Sequence, residues 1–92
     1  HQPLNFGRAE GNKDALYARW KKNPSNFIVG VSLLPFLSVP RDSAVIGELM
    51  KEFGNRQDAP NSLYLLAARV AAENQQWEES WRCLEIYLKR KR

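Results

Sequence analysis

The chain has one cysteine and one histidine, and these two shortages set the first limits on what it can do. With Cys83 alone, no disulfide can close within the chain, which favours a reducing compartment such as the cytoplasm or an organelle interior like the mitochondrial matrix. With His1 as the sole imidazole, a Ser–His–Asp or Cys–His constellation would need that end folded back onto the body. His, Cys and carboxylates are not grouped as metal ligands are, and no glycine-rich phosphate loop follows a strand pattern. Glu78-Glu79 offers adjacent carboxylates, but neighbours on a helix point apart, so they read as partners of the helix dipole. The expectation is a non-enzyme, with no catalytic residue, metal, cofactor or small-molecule substrate. Long apolar runs are lacking too. The longest uncharged stretch, 23–40, holds Pro24, Pro35 and Pro40, and its apolar part is too short to span a bilayer.

What is present is an ordinary globular composition, 43% hydrophobic and 11% aromatic, over a length suited to one domain with a modest core. The net charge of +4 comes from the tail. Of the 14 Lys and Arg, Lys89, Arg90, Lys91 and Arg92 close the chain, and the remainder match the 10 Asp and Glu. Lys21 and Lys22 add to a basic N-terminal stretch, so a mildly acidic body lies between two basic ends. A surface that tracks a phosphate backbone would spread its cations along one face.

Residues 1–11 have two glycines, a proline and no periodicity, and read as an extended arm anchored by Leu4 and Phe6. Residues 12–92 read as a single helical domain. A first helix is expected over 13–22, with Asn12 as cap and Leu16, Tyr17 and Trp20 as its apolar stripe; Asn23-Pro24 stops it. A second runs over 27–37, capped by Ser25 or Asn26, apolar on every side and so buried all round; Pro35 kinks or ends it. The β-branched cluster at 27–31 also suits a strand, but no second strand exists to pair with it. A third helix covers 43–53, between a cap at Asp42 or Ser43 and Gly54, with Val45, Ile46, Leu49, Met50 and Phe53 on one face. The fourth, 62–74, presents Ala67, Ala68, Ala71 and Ala72 for close helix approach. The fifth, 77–90, carries the stripe Trp77, Trp81, Leu84 and Leu88, expected mostly in the core with one edge of Trp81 exposed. Glu78–Arg82 and Glu85–Lys89 stand in the favourable i,i+4 order.

The chain repeats itself in pattern. Laying Val29 on Tyr64 also lays Ser32 on Ala67, Leu33 on Ala68, Leu49 on Leu84 and Phe53 on Leu88, pairing helices two and three with four and five as two hairpins. Tyr64, Ala67, Ala68, Ala71, Trp77, Ser80 and Leu84 fall where tetratricopeptide repeats place their aromatic, close-packing and small positions. This region resembles that family, and the related pentatricopeptide pattern fits as well through Met50–Asn61, Tyr64 and Trp77-Glu78-Glu79-Ser80. The resemblance covers roughly 13–90 and is degenerate: Gln75 or Gln76 stands where a glycine usually precedes the second helix, and Pro35 interrupts the first hairpin. Tyr17-Ala18-Arg19-Trp20 followed by Val39-Pro40 and a helix is also similar, with different spacing, to a small accessory subunit of mitochondrial cytochrome c oxidase. These likenesses imply a short all-α solenoid of stacked antiparallel hairpins.

Few repeats bury only part of their apolar surface, so an exposed patch and a protein partner in a larger assembly are expected. Leu4, Phe6 and Trp81 are the candidate partner-binding residues. The alternative, implied by the pentatricopeptide likeness, is RNA binding with Lys21, Lys22, Lys89, Arg90, Lys91 and Arg92 on phosphates. Attachment to a membrane surface through the basic tail would lack a second anchor.

Overall fold

A computed structural model describes residues 5–91, with side chains from residue 13 onward. Their regular structure is all helical: α1 (Asn5–Lys22), α2 (Phe27–Leu33), a 3₁₀ turn (Leu34–Phe36), α3 (Ser43–Phe53), α4 (Asn61–Glu73) and α5 (Trp77–Lys91), with no strand among the described residues. The chain divides into two compact units, 1–36 and 37–92. The boundary follows Pro35. That residue has no N–H to give the Val31 carbonyl, so α2 closes instead with the Leu34 N–H on Val31 O and tightens into the 3₁₀ turn.

In the first unit α1 packs against α2. Helix α1 begins at Asn5, well inside the stretch expected as an extended arm over 1–11. Gly7 and Gly11 each cost about 1 kcal/mol against alanine in a helix, and neither breaks the run through Arg8, Ala9 and Glu10. Leu4 and the side chain of Phe6 lie outside the described residues. Trp20 is the anchor here: it is 1% exposed, and its indole Nε1 donates to Pro24 O at 3.0 Å, closing the turn between the helices. Asn26 caps α2, its Oδ1 accepting from Val29 N at 3.2 Å. Val29, Gly30 and Leu33 are buried, but Ile28 is 77% exposed and Ser32 is exposed beside it. The helix is therefore amphipathic and not buried all round, because the uniformly apolar run has only α1 to pack on in its own unit.

In the second unit α4 is the central element, packing on α3 and, more extensively, on α5. Helix α3 starts and stops at the residues expected. Asp42 precedes it without a side-chain bond into the helix; its Oδ2 instead accepts from Ser38 N at 2.9 Å, and the Ser43 hydroxyl donates to Pro40 O at 2.9 Å. Ile46, Leu49 and Phe53 are its buried face. At its end Gly54 leaves no room for a side chain, since a Cβ there would lie 2.5 Å from the Met50 carbonyl oxygen. The Gly54 carbonyl in turn accepts from the buried Tyr64 hydroxyl at 2.8 Å, tying the end of α3 to α4.

The α4–α5 hairpin turns through a full Schellman arrangement. Gln76 N donates to Ala71 O at 2.8 Å and Gln75 N to Ala72 O at 3.0 Å, with Gln75 itself at φ 59°. This is the place where the repeat pattern asks for glycine, and a non-glycine residue in the left-handed region costs roughly 1–2 kcal/mol. The hairpin forms in spite of that residue. Of the two hairpins the repeat suggests, this one lies within a single unit, whereas α2 and α3 belong to different units.

Candidate interaction surface

The seam between α4 and α5 is built from small side chains. Ala67, Ala68 and Ala71 are buried on α4, and Ser80 and Cys83 are buried on α5. The Ser80 hydroxyl donates to Ala68 O at 2.9 Å, a bond that requires the two helices to lie close. Cys83 is 0% exposed and clusters with Ala67 and Ala68, with Met50 and Leu84 packed around them. An alanine face admits a close neighbour only if that neighbour is also small where they touch.

That requirement turns the rest of α5 outward. At 3.6 residues per turn, the Trp77–Trp81–Leu84–Leu88 stripe lies roughly 100° round the helix from Ser80 and Cys83. Trp77 is 63% exposed, Trp81 60% and Leu88 55%, with Leu84 half-buried between them. The sequence reading placed this stripe mostly in the core; the structure places it on the surface. A 4-3-4 apolar spacing marks a face that favours another apolar surface, but it does not say whether that surface belongs to the same chain. The signal that could have decided it was the alanine face of α4, which matches Ser80 and Cys83 and not two tryptophans.

Beside the stripe runs a line of alternating charge, Glu78, Arg82, Glu85 and Lys89. Within it Arg82 is held by Glu79, Nη2 to Oε2 at 2.6 Å, in an i,i+3 pair, with Glu79 in place of the Glu78 expected from spacing. The hydrogen bonds from Arg82 hold the Glu79 carboxyl below the usual carboxylate range. Burial pushes the Cys83 thiol up, and the nearby Glu79 charge pushes it the same way. A buried thiol with a raised pKa is a poor nucleophile.

The basic residues fall into different situations. Arg90 is turned onto its own chain: Nε donates to Asn61 Oδ1 at 3.2 Å, Nη2 to Gln57 O at 2.5 Å and also to Ala59 O. Its guanidinium lies 5.0 Å from the Tyr64 ring centroid. It fastens the end of α5 to the loop before α4, a role that no local pattern signals. Lys21 Nζ sits 5.8 Å from the ring centroids of both Tyr17 and Trp20, and Lys91 Nζ 5.6 Å from that of Tyr87. Lys22 and Lys89 are exposed, and Arg92 lies outside the described residues. Lys21 and Lys22 belong to the first unit, and Lys89, Arg90 and Lys91 to the second.

A groove of about 360 Å³ runs between α3, α4 and the start of α5, bordered by Gly47, Met50, Lys51, Val70, Gln76 and Arg82. Among the described residues no group of three His, Cys, Asp or Glu is placed to hold a metal ion. No helix among them is long and apolar enough to cross a membrane. No protein-family model matches the chain, and comparison with curated proteins and with solved structures finds no match.

Proposed function

We propose that this chain is a non-enzymatic protein-interaction module, an accessory subunit or adaptor that docks on a larger assembly, with a helical-hairpin repeat of the tetratricopeptide kind as its core. The observation that supports this reading is the outer face of α5, where two tryptophans and a leucine stand more than half exposed on a helix whose other face is satisfied. Monomers rarely leave a contiguous apolar patch of more than a few hundred Å² in water, and tryptophan is the residue most enriched where binding energy concentrates. The buried, raised-pKa state of Cys83 also fits a structural part for it in place of a catalytic one.

The test is affinity purification of the intact chain from an extract of its source cells, with and without ribonuclease, beside a Trp77→Glu/Trp81→Glu variant. A fixed set of proteins should survive ribonuclease and be lost from the variant. A set that disappears on ribonuclease treatment and is indifferent to the variant would overturn the reading in favour of RNA.

A further inference from the structure

The chain has one methionine and one cysteine, and both lie in the same cluster, at the seam of the second unit. Met50 on α3 is packed against Ala67 and Ala68 of α4 and Cys83 of α5. From the different exposure of the two sulfurs we infer that Met50 is a reversible oxidation site, through which peroxide loosens α3 from the α4–α5 hairpin and uncovers Cys83.

The two sulfurs differ in what can reach them. Cys83 is fully buried, with its Sγ 3.6 Å from Glu79 Oε2. Only a thiolate attacks peroxide readily, and burial beside the Glu79 charge disfavours that form. Met50 is only partly buried and borders the groove between α3, α4 and the start of α5. A thioether has no proton to lose and reacts as it stands. Its lone pair takes one oxygen of the peroxide, the O–O bond breaks, and the other oxygen leaves as water. The sulfur gives up two electrons, the peroxide accepts them, and the product is methionine sulfoxide.

The place of the thioether makes that product disruptive. A Cβ built on Gly54 would stand 3.0 Å from Met50 Cε and 3.1 Å from its Sδ, so the end of the side chain fills the space over that glycine. The rest of it covers the alanines and Cys83. A sulfoxide oxygen is strongly polar, and burying it among methyl groups without a donor is unfavourable. The oxidised side chain therefore turns to the water of the groove and leaves the seam beneath it unfilled. Helix α3 keeps its buried Ile46, Leu49 and Phe53 and the Tyr64 bond to Gly54, so the seam opens while the helices persist. A methionine sulfoxide reductase resets the site, drawing two electrons from thiols and releasing the oxygen as water.

The test treats the full chain with hydrogen peroxide at about pH 5, where thiolate is scarce, and locates the added oxygen by mass spectrometry. One oxygen should appear, on Met50. The melting temperature should fall by about 5–10 °C, and Cys83 should react about tenfold faster with a thiol reagent. Reductases for the two sulfoxide epimers should restore both values. Met50→Leu conserves volume, so it should keep the parent's helical circular dichroism and show neither change in peroxide. Met50→Gln, polar and of similar length, should show both changes with no peroxide added. The inference is overturned if Met50 stays intact while free methionine in the same solution is oxidised. Oxidation that alters neither the melting temperature nor the Cys83 rate overturns it too, as do equal losses in Met50→Leu or changes that the reductases cannot reverse.

Discussion

Trp20 and Trp81 are the same residue on two helices of similar make-up, each on an apolar stripe that the sequence presents in the same way. Trp20 is 1% exposed, with its indole N–H on the Pro24 carbonyl; Trp81 is 60% exposed. The difference comes from what the neighbouring helix offers. Helix α2 packs on α1 with Val29, Gly30 and Leu33 buried, and the turn that leads into it offers the Pro24 carbonyl to the indole. Helix α4 brings a row of alanines that closes down on Ser80 and Cys83, so the large side chains of α5 are left on the outside. A tryptophan's place is therefore set by what the neighbouring segment offers it, and less by the periodicity of its own helix.

The sharpest way to break this comparison is to remove each ring. Trp20→Ala should cost about 3–5 kcal/mol in guanidinium unfolding, the sum of lost burial and the cavity left behind. Trp81→Ala should stay within about 0.5 kcal/mol, as exposed substitutions do. Acrylamide should quench Trp77 and Trp81 readily and Trp20 hardly at all, measured on variants that keep one tryptophan each. Equal costs for the two alanine variants would mean that the outer face of α5 is covered within the monomer.

The next test fills the seam. Ala68 is 2% exposed, and Ser80 bonds to its carbonyl. Ala68→Leu should push α5 away and cost about 1–3 kcal/mol in thermal or denaturant unfolding, with loss of the Ser80 bond. The same change at the exposed Arg69 should be nearly neutral. If Ala68→Leu were tolerated, small size at the seam would not be what turns the tryptophans outward.

Much of this fold is legible in the sequence, and where it is not, the cause is physical. The end of α3 follows from Gly54 and the end of α2 from Pro35, because such effects act within one turn; α3 also starts at Ser43 as expected, though neither Asp42 nor Ser43 caps it with its side chain. The start of α1 is not legible, because two glycines look like breakers when at about 1 kcal/mol each they only weaken a helix. The exposure of Ile28 and of the Trp77 stripe was missed because periodicity reports that a face is apolar, and its partner lies elsewhere in space. Arg90 is the extreme case. Its three basic neighbours make it look like part of a phosphate-binding tail, and nothing local reveals that Gln57, Ala59, Asn61 and Tyr64 converge on it.

A gain should come from the hairpin turn. Gln75 holds φ 59° in a Schellman turn whose other bonds are all made. Gln75→Gly removes the side-chain penalty of about 1–2 kcal/mol and adds backbone entropy to the unfolded chain, leaving a net stabilisation of about 0.5–1 kcal/mol. A higher melting temperature would support the seam as the anchor of the second unit. A lower one would mean that the Gln75 side chain contributes more than its backbone costs.

The smallest effect concerns pH on the exposed side of α5. The hydrogen bonds from Arg82 lower the Glu79 carboxyl from its ordinary 4.5 in the folded chain. A carboxyl with a depressed folded pKa adds stability above its unfolded value, and that contribution is lost as pH falls through the folded value. Because the Glu79 side chain is 45% exposed, water and salt screen the pair, and its worth is less than about 1 kcal/mol. Glu79→Gln should therefore lower the melting temperature slightly at neutral pH and not at all well below pH 4.5, so that the two melting curves converge as acid is added. High salt should close the same gap at neutral pH. A gap that persisted in acid would mean that Glu79 acts through its packing near Cys83, at 3.6 Å from the sulfur, and not through its charge.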